Sequence, residues 1–265
     1  MQESLTIVKI GGNVIDNKNH LPEFLKSFAG IGGKKILVHG GGKIATSIGH
    51  QLNIEPDYVD GRRITDDKTI DLVTMVYAGL INKKLVAVLQ SLNCQSIGIT
   101  GADASLIPAM KRRVKEVDFG WVGDPDSKKI PVDRWEIFFQ NGWIPVVAPI
   151  THDGKGNLLN TNADTIASTL AIALATKYLV SLVFCFEKDG VLSDAKDDST
   201  VLNSLDWTKY NQLKETDKLV EGILPKLKNA FEAKQKGVAS VVVGNSSKLT
   251  ELISGNSGTK ILINP

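Results

Sequence analysis

Two glycine-containing segments, each at the end of a predicted strand, carry residue types that suit phosphate binding. The first, residues 5–12, reads LTIVKIGG and places Lys9 near the end of an apolar strand. A cation at the end of a core strand is costly unless an anion meets it. Gly11 and Gly12 have no Cβ, so their backbone N–H groups can approach that anion closely. The segment therefore predicts a phosphate site in which Lys9 supplies the charge.

The second segment, residues 36–42, reads ILVHGGG and continues into a predicted helix. A glycine-rich turn before a helix offers an anion both backbone donors and the positive end of the helix dipole. A Walker loop is excluded, because Leu37 stands where that motif needs glycine and Ile44 where it needs Ser or Thr. Residues 40–45 fit the Rossmann pattern G-x-G-x-x-A, but no acidic residue ends a convincing strand after the helix. A dinucleotide-binding oxidoreductase therefore stays open as an alternative.

Three further segments give weaker local signals. Arg62 and Arg63 lie in an extended segment and suit bidentate recognition of a carboxylate, although two solvated surface arginines would look the same. Asp164 closes an NTNAD segment just before a predicted helix, where it could simply cap the helix. Lys226 follows Pro225 at another predicted helix start, as a cation beside backbone donors or as a solvated helix lysine. Local spacing does not choose between these interpretations.

The bulk composition is that of an ordinary globular protein. The chain has 265 residues, of which 42% are hydrophobic and 23% charged, and its net charge is +2. These values indicate neither disorder nor a nucleic-acid or membrane partner. The two cysteines, Cys94 and Cys185, are far apart and predict structural thiols in a reduced, cytoplasmic protein. The four histidines show no metal-ligand spacing, and the longest apolar stretch, near residues 178–186, is too short to span a bilayer.

Apolar periodicity predicts strands that alternate with helices, and therefore an α/β fold with a mainly parallel sheet. The predicted strands are residues 5–10, 35–39, 96–100, 144–147, 178–186, 240–243 and 260–263. The predicted helices are residues 21–31, 43–52, a long helix capped by Thr65 and ending near Leu92, 133–141, 163–176, one within 219–235, and 249–254. Residues 114–121 are predicted to form a hairpin.

Eight segments follow one another along the chain: VKIGG (8–12), VHGGG (38–42), DGRRIT (60–65), 98–109, PVVAPI (145–150), NTNAD (160–164), GILPK (222–226) and GTKI (258–261). In this order and spacing, the chain resembles the N-acetylglutamate kinases of the amino acid kinase family. The resemblance implies a three-layer αβα sandwich with an open, mainly parallel central sheet. Residues 1–175 would form an N-terminal lobe for acyl-glutamate binding and dimerisation, and residues 176–265 a C-terminal lobe for ATP.

The implied reaction is ATP-dependent phosphorylation of the side-chain carboxylate of N-acetyl-L-glutamate, a step of arginine biosynthesis. ATP and Mg²⁺ are the implied cofactors, with the metal held mainly by the ATP phosphates and no metal site of the protein's own. Two lysines that stabilise the transferring phosphoryl group, and the carboxylate that holds them, would be Lys9, Lys226 and Asp164. The residues that bind the acyl-glutamate would be Gly41, Gly42, Arg63 and Asn160. The residues that bind the nucleotide would be Gly11, Gly12, Asp189 and Gly190.

The chain departs from the family pattern at Lys43, where proline is usual, and at Phe186 and Glu187, where a Thr-Asp or Ser-Asp pair usually stands. It is expected to lack the N-terminal helix that builds hexamers in arginine-inhibited members, because only eight residues precede Lys9. A homodimer formed through the long helix at 65–92 is the expected assembly. Three alternatives stay open: another N-acyl-glutamate such as N-succinyl-glutamate, a different acceptor used by this family, or a non-catalytic sensor.

Overall fold

A sheet of eight strands forms the centre of the structure, a computed structural model that describes residues 2–59, 61–215 and 223–263. The strands in chain order are β1 (Ser4–Ile10), β2 (Lys34–His39), β3 (Tyr58–Val59), β4 (Arg62–Arg63), β5 (Ser96–Ile99), β6 (Ala109–Lys111), β7 (Gly123–Pro125), β8 (Ile144–Val147), β9 (Ile150–His152), β10 (Leu158–Asn160), β11 (Leu179–Phe186), β12 (Ser204–Leu205), β13 (Ser240–Asn245) and β14 (Thr259–Ile261). The sheet order is β12-β14-β13-β11-β1-β2-β8-β5, and within it only β13 and β14 pair antiparallel among the described strands. Three antiparallel ladders, β3–β4, β6–β7 and β9–β10, stand outside this sheet. The prediction of a mainly parallel α/β fold is confirmed.

Helices cover both faces of the sheet. They are α1 (Gly12–Asp16), α2 (His20–Ala29), α3 (Gly42–Gln51), α4 (Asp67–Ser91), α5 (Val132–Gln140), α6 (Ala163–Leu174), α7 (Trp207–Glu215), α8 (Ile223–Gln235) and α9 (Leu249–Ser254), with single 3₁₀ turns at Asp103–Ser105, Ser127–Lys129 and Ser246–Lys248. One apolar core packs α5, α6, α7 and α8 against one face, and a second core packs α1, α2, α3, α4 and α9 against the other. The result is the three-layer αβα arrangement that the family resemblance implied.

The strand β1 lies in the middle of the sheet and directs its side chains into both cores. It pairs in parallel with β11 on one side and β2 on the other. Because side chains alternate along a strand, Ile7 enters the core beneath α6 and α8, while Val8 and Ile10 enter the opposite core. Lys9 shares the face of Ile7, so its ammonium group extends toward the N-terminal ends of α6 and α8.

The helix α4 is long and apolar enough, by length and composition alone, to cross a membrane. Its apolar window has a mean hydropathy of 1.6, and 44% of it is buried inside the protein. Eight of its residues line the second core: Ile70, Leu72, Val73, Val76, Tyr77, Ile81, Leu85 and Leu89. The segment Thr74–Ile81 has π-helical hydrogen bonds, and it brings Tyr77 and Ile81 against Gly41. This helix therefore packs as a core helix, and its other face, with Met75 and Leu80, is exposed.

The structure corrects two local predictions and adds two helices. Asp66, not Thr65, caps α4: its side chain accepts a hydrogen bond of 2.8 Å from the Thr69 backbone N–H. The predicted hairpin at 114–121 is wrong, because the paired strands are β6 and β7 and residues 112–122 form the connection between them. The short helix α1 and the polar helix α7 lack the apolar periodicity that would have predicted them. Asp60 and Gly222, which belong to the family-like segments, lie outside the described residues.

The turn at Gly120 tests how closely the connection at 112–122 packs against the backbone of Thr65. Gly120 and Gly142 both have a φ of +68°, but a Cβ added to Gly120 would lie 2.9 Å from the Thr65 carbonyl carbon, whereas one added to Gly142 meets nothing within 4 Å. Both substitutions to alanine should cost about 1–2 kcal/mol for the left-handed backbone. Gly120→Ala should cost roughly 1–3 kcal/mol more, because backbone atoms must move. Urea unfolding midpoints compare the two variants. Equal midpoints would show that the backbone around Gly120 can move at no cost in stability.

Candidate functional site

A buried carboxylate lies between two buried lysines at the carboxyl end of β1. The Lys9 Nζ atom is 2.7 Å from Oδ1 of Asp164, and the Lys226 Nζ atom is 3.0 Å from the same oxygen. Each of the three residues is at most 9% exposed. They come from β1, α6 and α8, so the structure joins residues that are far apart in the sequence. Two ammonium groups and one carboxylate leave one net positive charge in a largely buried site, which suits an anion.

The electrostatics of the cluster follow from burial and close charges. Burial lowers the pKa of the Lys9 ammonium from 10.5 to about 8, with Asp164 opposing the shift and Lys226 adding to it. Burial alone would raise the pKa of Asp164, but Lys226 and Lys9 outweigh it and hold that pKa well below its usual range. The neighbouring Cys185 is fully buried, which raises the pKa of its thiol to about 12 and keeps it from acting as a thiolate.

The sequence around Asp164 explains why its side chain is free to meet the lysines. Asn162 is the N-cap of α6, and its Oδ1 accepts hydrogen bonds from the backbone N–H groups of Asp164 at 2.8 Å and Thr165 at 3.1 Å. The capping role therefore belongs to Asn162, and the Asp164 carboxylate points into the site. A hydrogen bond of 2.9 Å from Ser168 Oγ to Asn229 Oδ1 ties α6 to α8, which keeps Lys226 in place.

The two glycine loops lie against each other beside this cluster. The Gly40 N–H donates to the Ile10 carbonyl at 2.9 Å, so the end of β2 is bonded to the end of β1. A Cβ added to Gly11 would lie 3.7 Å from Lys9 Nζ, and one added to Gly12 would lie 3.9 Å from the Gly42 nitrogen. The backbone donors that begin α1 and α3 therefore border one space. Gly41, with a φ of +154°, makes the close turn that this requires.

His39, which showed no functional pattern in the sequence, orders the second glycine loop. It is fully buried, and burial lowers its pKa to about 4, so the imidazole is neutral. With Nδ1 protonated, the ring donates to the Gly40 carbonyl at 2.8 Å and its Nε2 accepts from Asn82 Nδ2 at 3.1 Å. Asn82 in turn donates to the Val146 carbonyl at 2.9 Å, which links the loop to the neighbouring strand.

Arg63 contacts the second glycine loop, and Asn160 contacts the segment that carries Arg63. The Arg63 Nη2 atom donates to the Gly42 carbonyl at 3.1 Å, to Thr46 Oγ1 at 2.7 Å and to the Tyr58 hydroxyl. Its guanidinium carbon lies 4.8 Å from the centre of the Tyr58 ring. Asn160, at the end of β10, donates through Nδ2 to Thr65 Oγ1 at 3.1 Å. The structure thus brings Arg63 to Gly42 at the start of α3, and it places Asn160 against Thr65, two residues after Arg63.

Asp189 and Gly190 lie on the other side of β1, beyond the ends of β11 and β13. Asp189 accepts hydrogen bonds from Lys248 Nζ at 2.6 Å and from Asn245 Nδ2 at 2.9 Å, and these two donors lower the pKa of its carboxyl group. Sequence reasoning missed Asn245 and Lys248. The run Gly-Asn-Ser-Ser-Lys at the end of β13 was the available signal, since polar residues at the carboxyl end of a parallel strand favour a ligand site.

A surface cavity of about 660 Å³ lies beside β4 and the connection at 112–122. Five cationic side chains line it: Arg62, Lys111, Arg112, Arg113 and Lys115. Asp124 neutralises Arg112 through a pair whose Nη2–Oδ1 distance is 2.5 Å. Glu116 is the second acidic residue of the lining, and the cationic excess that remains favours the approach of anionic ligands to this cavity.

Comparison with known proteins gives one consistent result. The model of the amino acid kinase family matches residues 4–245. The chain is 50% identical over 265 residues to an acetylglutamate kinase of Cytophaga hutchinsonii, a match that covers 99% of this chain and 100% of that protein. It is 47% identical over 261 residues to an acetylglutamate kinase of Bacteroides thetaiotaomicron, which covers 98% of this chain and 99% of that protein. The structure of an N-acetylglutamate synthase of Neisseria gonorrhoeae, in complex with coenzyme A and N-acetyl-glutamate, shares the fold with a TM-score of 0.82 at 19% identity, covering 99% of this chain and 60% of that one.

The Lys9 ammonium should titrate well below an ordinary lysine. Its ¹³Cε resonance should shift with a midpoint near pH 8, against roughly 10.4 for a lysine in an unstructured peptide. Asp164→Asn should move this midpoint further down, because it removes the charge that favours the ammonium form. A Lys9 midpoint at or above that of the peptide would contradict the arrangement of charges.

Proposed function

The chain belongs to the amino acid kinase family, and from this premise we propose that it transfers the γ-phosphoryl group of ATP to the side-chain carboxylate of N-acetyl-L-glutamate. The products are ADP and N-acetyl-L-glutamyl 5-phosphate, in arginine biosynthesis. The full-length relatives named acetylglutamate kinase support the acetyl substrate over a succinyl one. The reaction joins two anions, a carboxylate and a polyphosphate, so the protein must offset their repulsion.

The observation that carries the proposal is the contact of Lys9 and Lys226 with one oxygen of Asp164. In phosphoryl transfer, charge spreads over the three equatorial oxygens of the moving group, and catalysis consists mainly of positioning and charge stabilisation. Two buried ammonium groups held in place by Asp164 supply that charge without a covalent intermediate. Because the carboxylate fixes both lysines before the ligands arrive, little reorganisation is needed as the phosphoryl group moves.

The two glycine loops separate the substrates. We assign ATP to the first loop, where the N–H groups of Gly11 and Gly12 would meet its phosphates, and to the C-terminal residues 176–265 with Asp189 and Gly190. We assign the acyl-glutamate to the N-terminal residues 1–175, with its reacting carboxylate at Gly41 and Gly42. The close packing of the two loops supports a short transfer path between them.

On the acceptor side, Arg63 would bind the α-carboxylate of the acyl-glutamate, and Asn160 would orient the amide. Arg63 is already fixed by its bonds to α3 and by Tyr58, so binding costs little side-chain entropy.

Mg²⁺ would bind to the phosphates of ATP and neutralise part of their charge. Within the part of the chain that the structure describes, no three His, Cys, Asp or Glu side chains are grouped so as to hold a metal. A Mg²⁺ ion that takes most of its ligands from phosphate oxygens and water does not need such a group of side chains. Asp164 is already engaged by two lysines, so it remains the holder of Lys9 and Lys226.

We also propose a cytoplasmic homodimer formed through the exposed face of α4. Met75 is 58% exposed and Leu80 38% exposed, although the helix around them is apolar. An apolar helix face left open on one subunit is best covered by the same face of a second copy, in a two-fold arrangement.

The mechanism predicts that Lys9→Ala lowers kcat roughly 10²–10³-fold with little change in either KM, because the lysine acts mainly on the transition state. Coupled ADP release with N-acetyl-L-glutamate measures the effect. Lys34→Ala removes a lysine of the neighbouring strand whose contact is a surface pair with Glu3, and should leave kcat unchanged. Near-normal kcat in Lys9→Ala would remove Lys9 from the mechanism.

For the assembly, light scattering should give twice the chain mass of 28.7 kDa. Met75→Asp should shift the protein toward the monomer, because it places a charge in the apolar contact. Val114→Asp, at a residue that is 62% exposed in the connection between β6 and β7, serves as the control. A wild-type protein that is monomeric at micromolar concentration would contradict the dimer.

A further inference from the structure

The last residue of α1, Asp16, has a carboxylate without a partner in this structure. Both of its oxygens are buried, and neither accepts a hydrogen bond from a described residue. Burial raises the pKa of this carboxyl group, and the charge of Lys43 opposes the rise. A buried carboxylate that lacks a donor is destabilising. The protein thus keeps an unsatisfied acceptor close to the candidate site.

Lys43 is the nearby cation, and its position is unusual. It lies in the first turn of α3 directly after Gly42, is exposed, and makes no hydrogen bond or ion pair with residues 2–59, 61–215 or 223–263. A lysine in the first helical turn opposes the helix dipole, which favours a negative charge there. The Cβ of a helical residue tilts toward the helix N-terminus, so the side chain of Lys43 leans toward the glycine loop.

Asp16 and Lys43 border the same gap. A Cβ added to Gly12 would lie 3.8 Å from Asp16 Oδ2 and 3.9 Å from the backbone nitrogens of both Gly42 and Lys43. Gly12 therefore separates the carboxylate from the start of α3 by a few ångströms. The gap lies between the two glycine loops, on the sheet face that α1 and α3 cover. Lys226 approaches from the opposite face with α8.

We propose that Lys43 is a third cation of the phosphoryl site, and that Asp16 is the positioning residue that draws its ammonium group into the gap between Gly12 and Gly42. The proposal rests on the proposed function. Lys43 contacts equatorial oxygens of the transferring γ-phosphoryl group from the side opposite Lys226, and no proton or covalent bond is added to the reaction. Asp16 is half-buried, with both carboxylate oxygens out of contact with solvent, and it directs the Lys43 ammonium group as Asp164 directs that of Lys9.

Steady-state kinetics with MgATP and N-acetyl-L-glutamate test the proposal. Lys43→Met should lower kcat roughly tenfold, less than a fully buried donor would, while both KM values stay within about twofold. Lys43→Arg should retain most of the activity, because it keeps the charge. Lys18→Met removes an exposed lysine just after α1 and should match the wild type. Asp16→Asn should also lower kcat, and the Asp16→Asn/Lys43→Met double variant should be no slower than Lys43→Met alone.

Thermal unfolding provides a readout that does not depend on activity. Asp16→Asn removes a buried, unpartnered charge, so its Tm without substrates should rise by roughly 2–4 °C even though kcat falls. A residue with a purely structural role would lose both stability and activity. An unchanged or lower Tm for Asp16→Asn would contradict the unsatisfied carboxylate on which the proposal depends.

Three kinetic results would overturn the proposal. The first is a Lys43→Met variant as fast as Lys18→Met. The second is additivity of the Asp16→Asn and Lys43→Met effects. The third is an Asp16→Asn variant that needs more Mg²⁺ at fixed ATP while Lys43→Met does not, which would make Asp16 a metal ligand. A wild-type protein that fails to phosphorylate N-acetyl-L-glutamate would instead contradict the proposed function itself.

Discussion

The site depends on the contact of two lysine ammonium groups with one carboxylate oxygen of Asp164. Two ammonium groups about 4 Å apart repel each other by roughly 4 kcal/mol at an effective dielectric constant of about 20. Asp164 offsets this repulsion, since both Nζ atoms lie within 3.0 Å of its Oδ1. The cluster still carries a net positive charge, and burial lowers the pKa of Lys9 to about 8. In the proposed reaction an incoming phosphoryl group would supply the missing negative charge, so ligand binding would offset the electrostatic cost of burying two ammonium groups.

The fold brings these groups together through simple geometric rules. Alternation along β1 directs Lys9 into the layer that contains α6 and α8, and parallel pairing aligns the carboxyl ends of β11, β1 and β2 at one edge. The glycine loops follow β1 and β2 at this edge, and the start of α3 lies beside the start of α1. Asp189 and Gly190, which we propose to bind the nucleotide, follow β11 on the far side of β1 from α3. The order of strands thus sets which substrate would lie on which side of the lysines.

Much of this arrangement could be predicted from the sequence, because periodicity and glycine placement are local signals. The strand with Lys9, the glycine loops and the helix that carries Lys226 all follow from them. The role of Asp164 could not be predicted locally, since a polar residue at a helix start is usually a cap. The structure resolves this by giving the cap to Asn162. The family resemblance supplied the partnership of Lys9 with Lys226, which no local pattern contains. Asn245 and Lys248 were missed because their partner, Asp189, is distant in sequence. The hairpin at 114–121 was misplaced because its β-forming residues lie in the exposed connection between β6 and β7.

The most direct test of phosphoryl transfer to a carboxylate follows the oxygen atoms. N-acetyl-L-glutamate labelled with ¹⁸O in its side-chain carboxylate is incubated with the protein and MgATP, and hydroxylamine traps the acyl phosphate. Attack of hydroxylamine on the acyl carbon releases phosphate that keeps the bridging oxygen. The account predicts a hydroxamate together with phosphate that carries one ¹⁸O atom, seen by its ³¹P isotope shift. Unlabelled phosphate without hydroxamate would show that water, not the carboxylate, accepts the phosphoryl group, and would contradict the account.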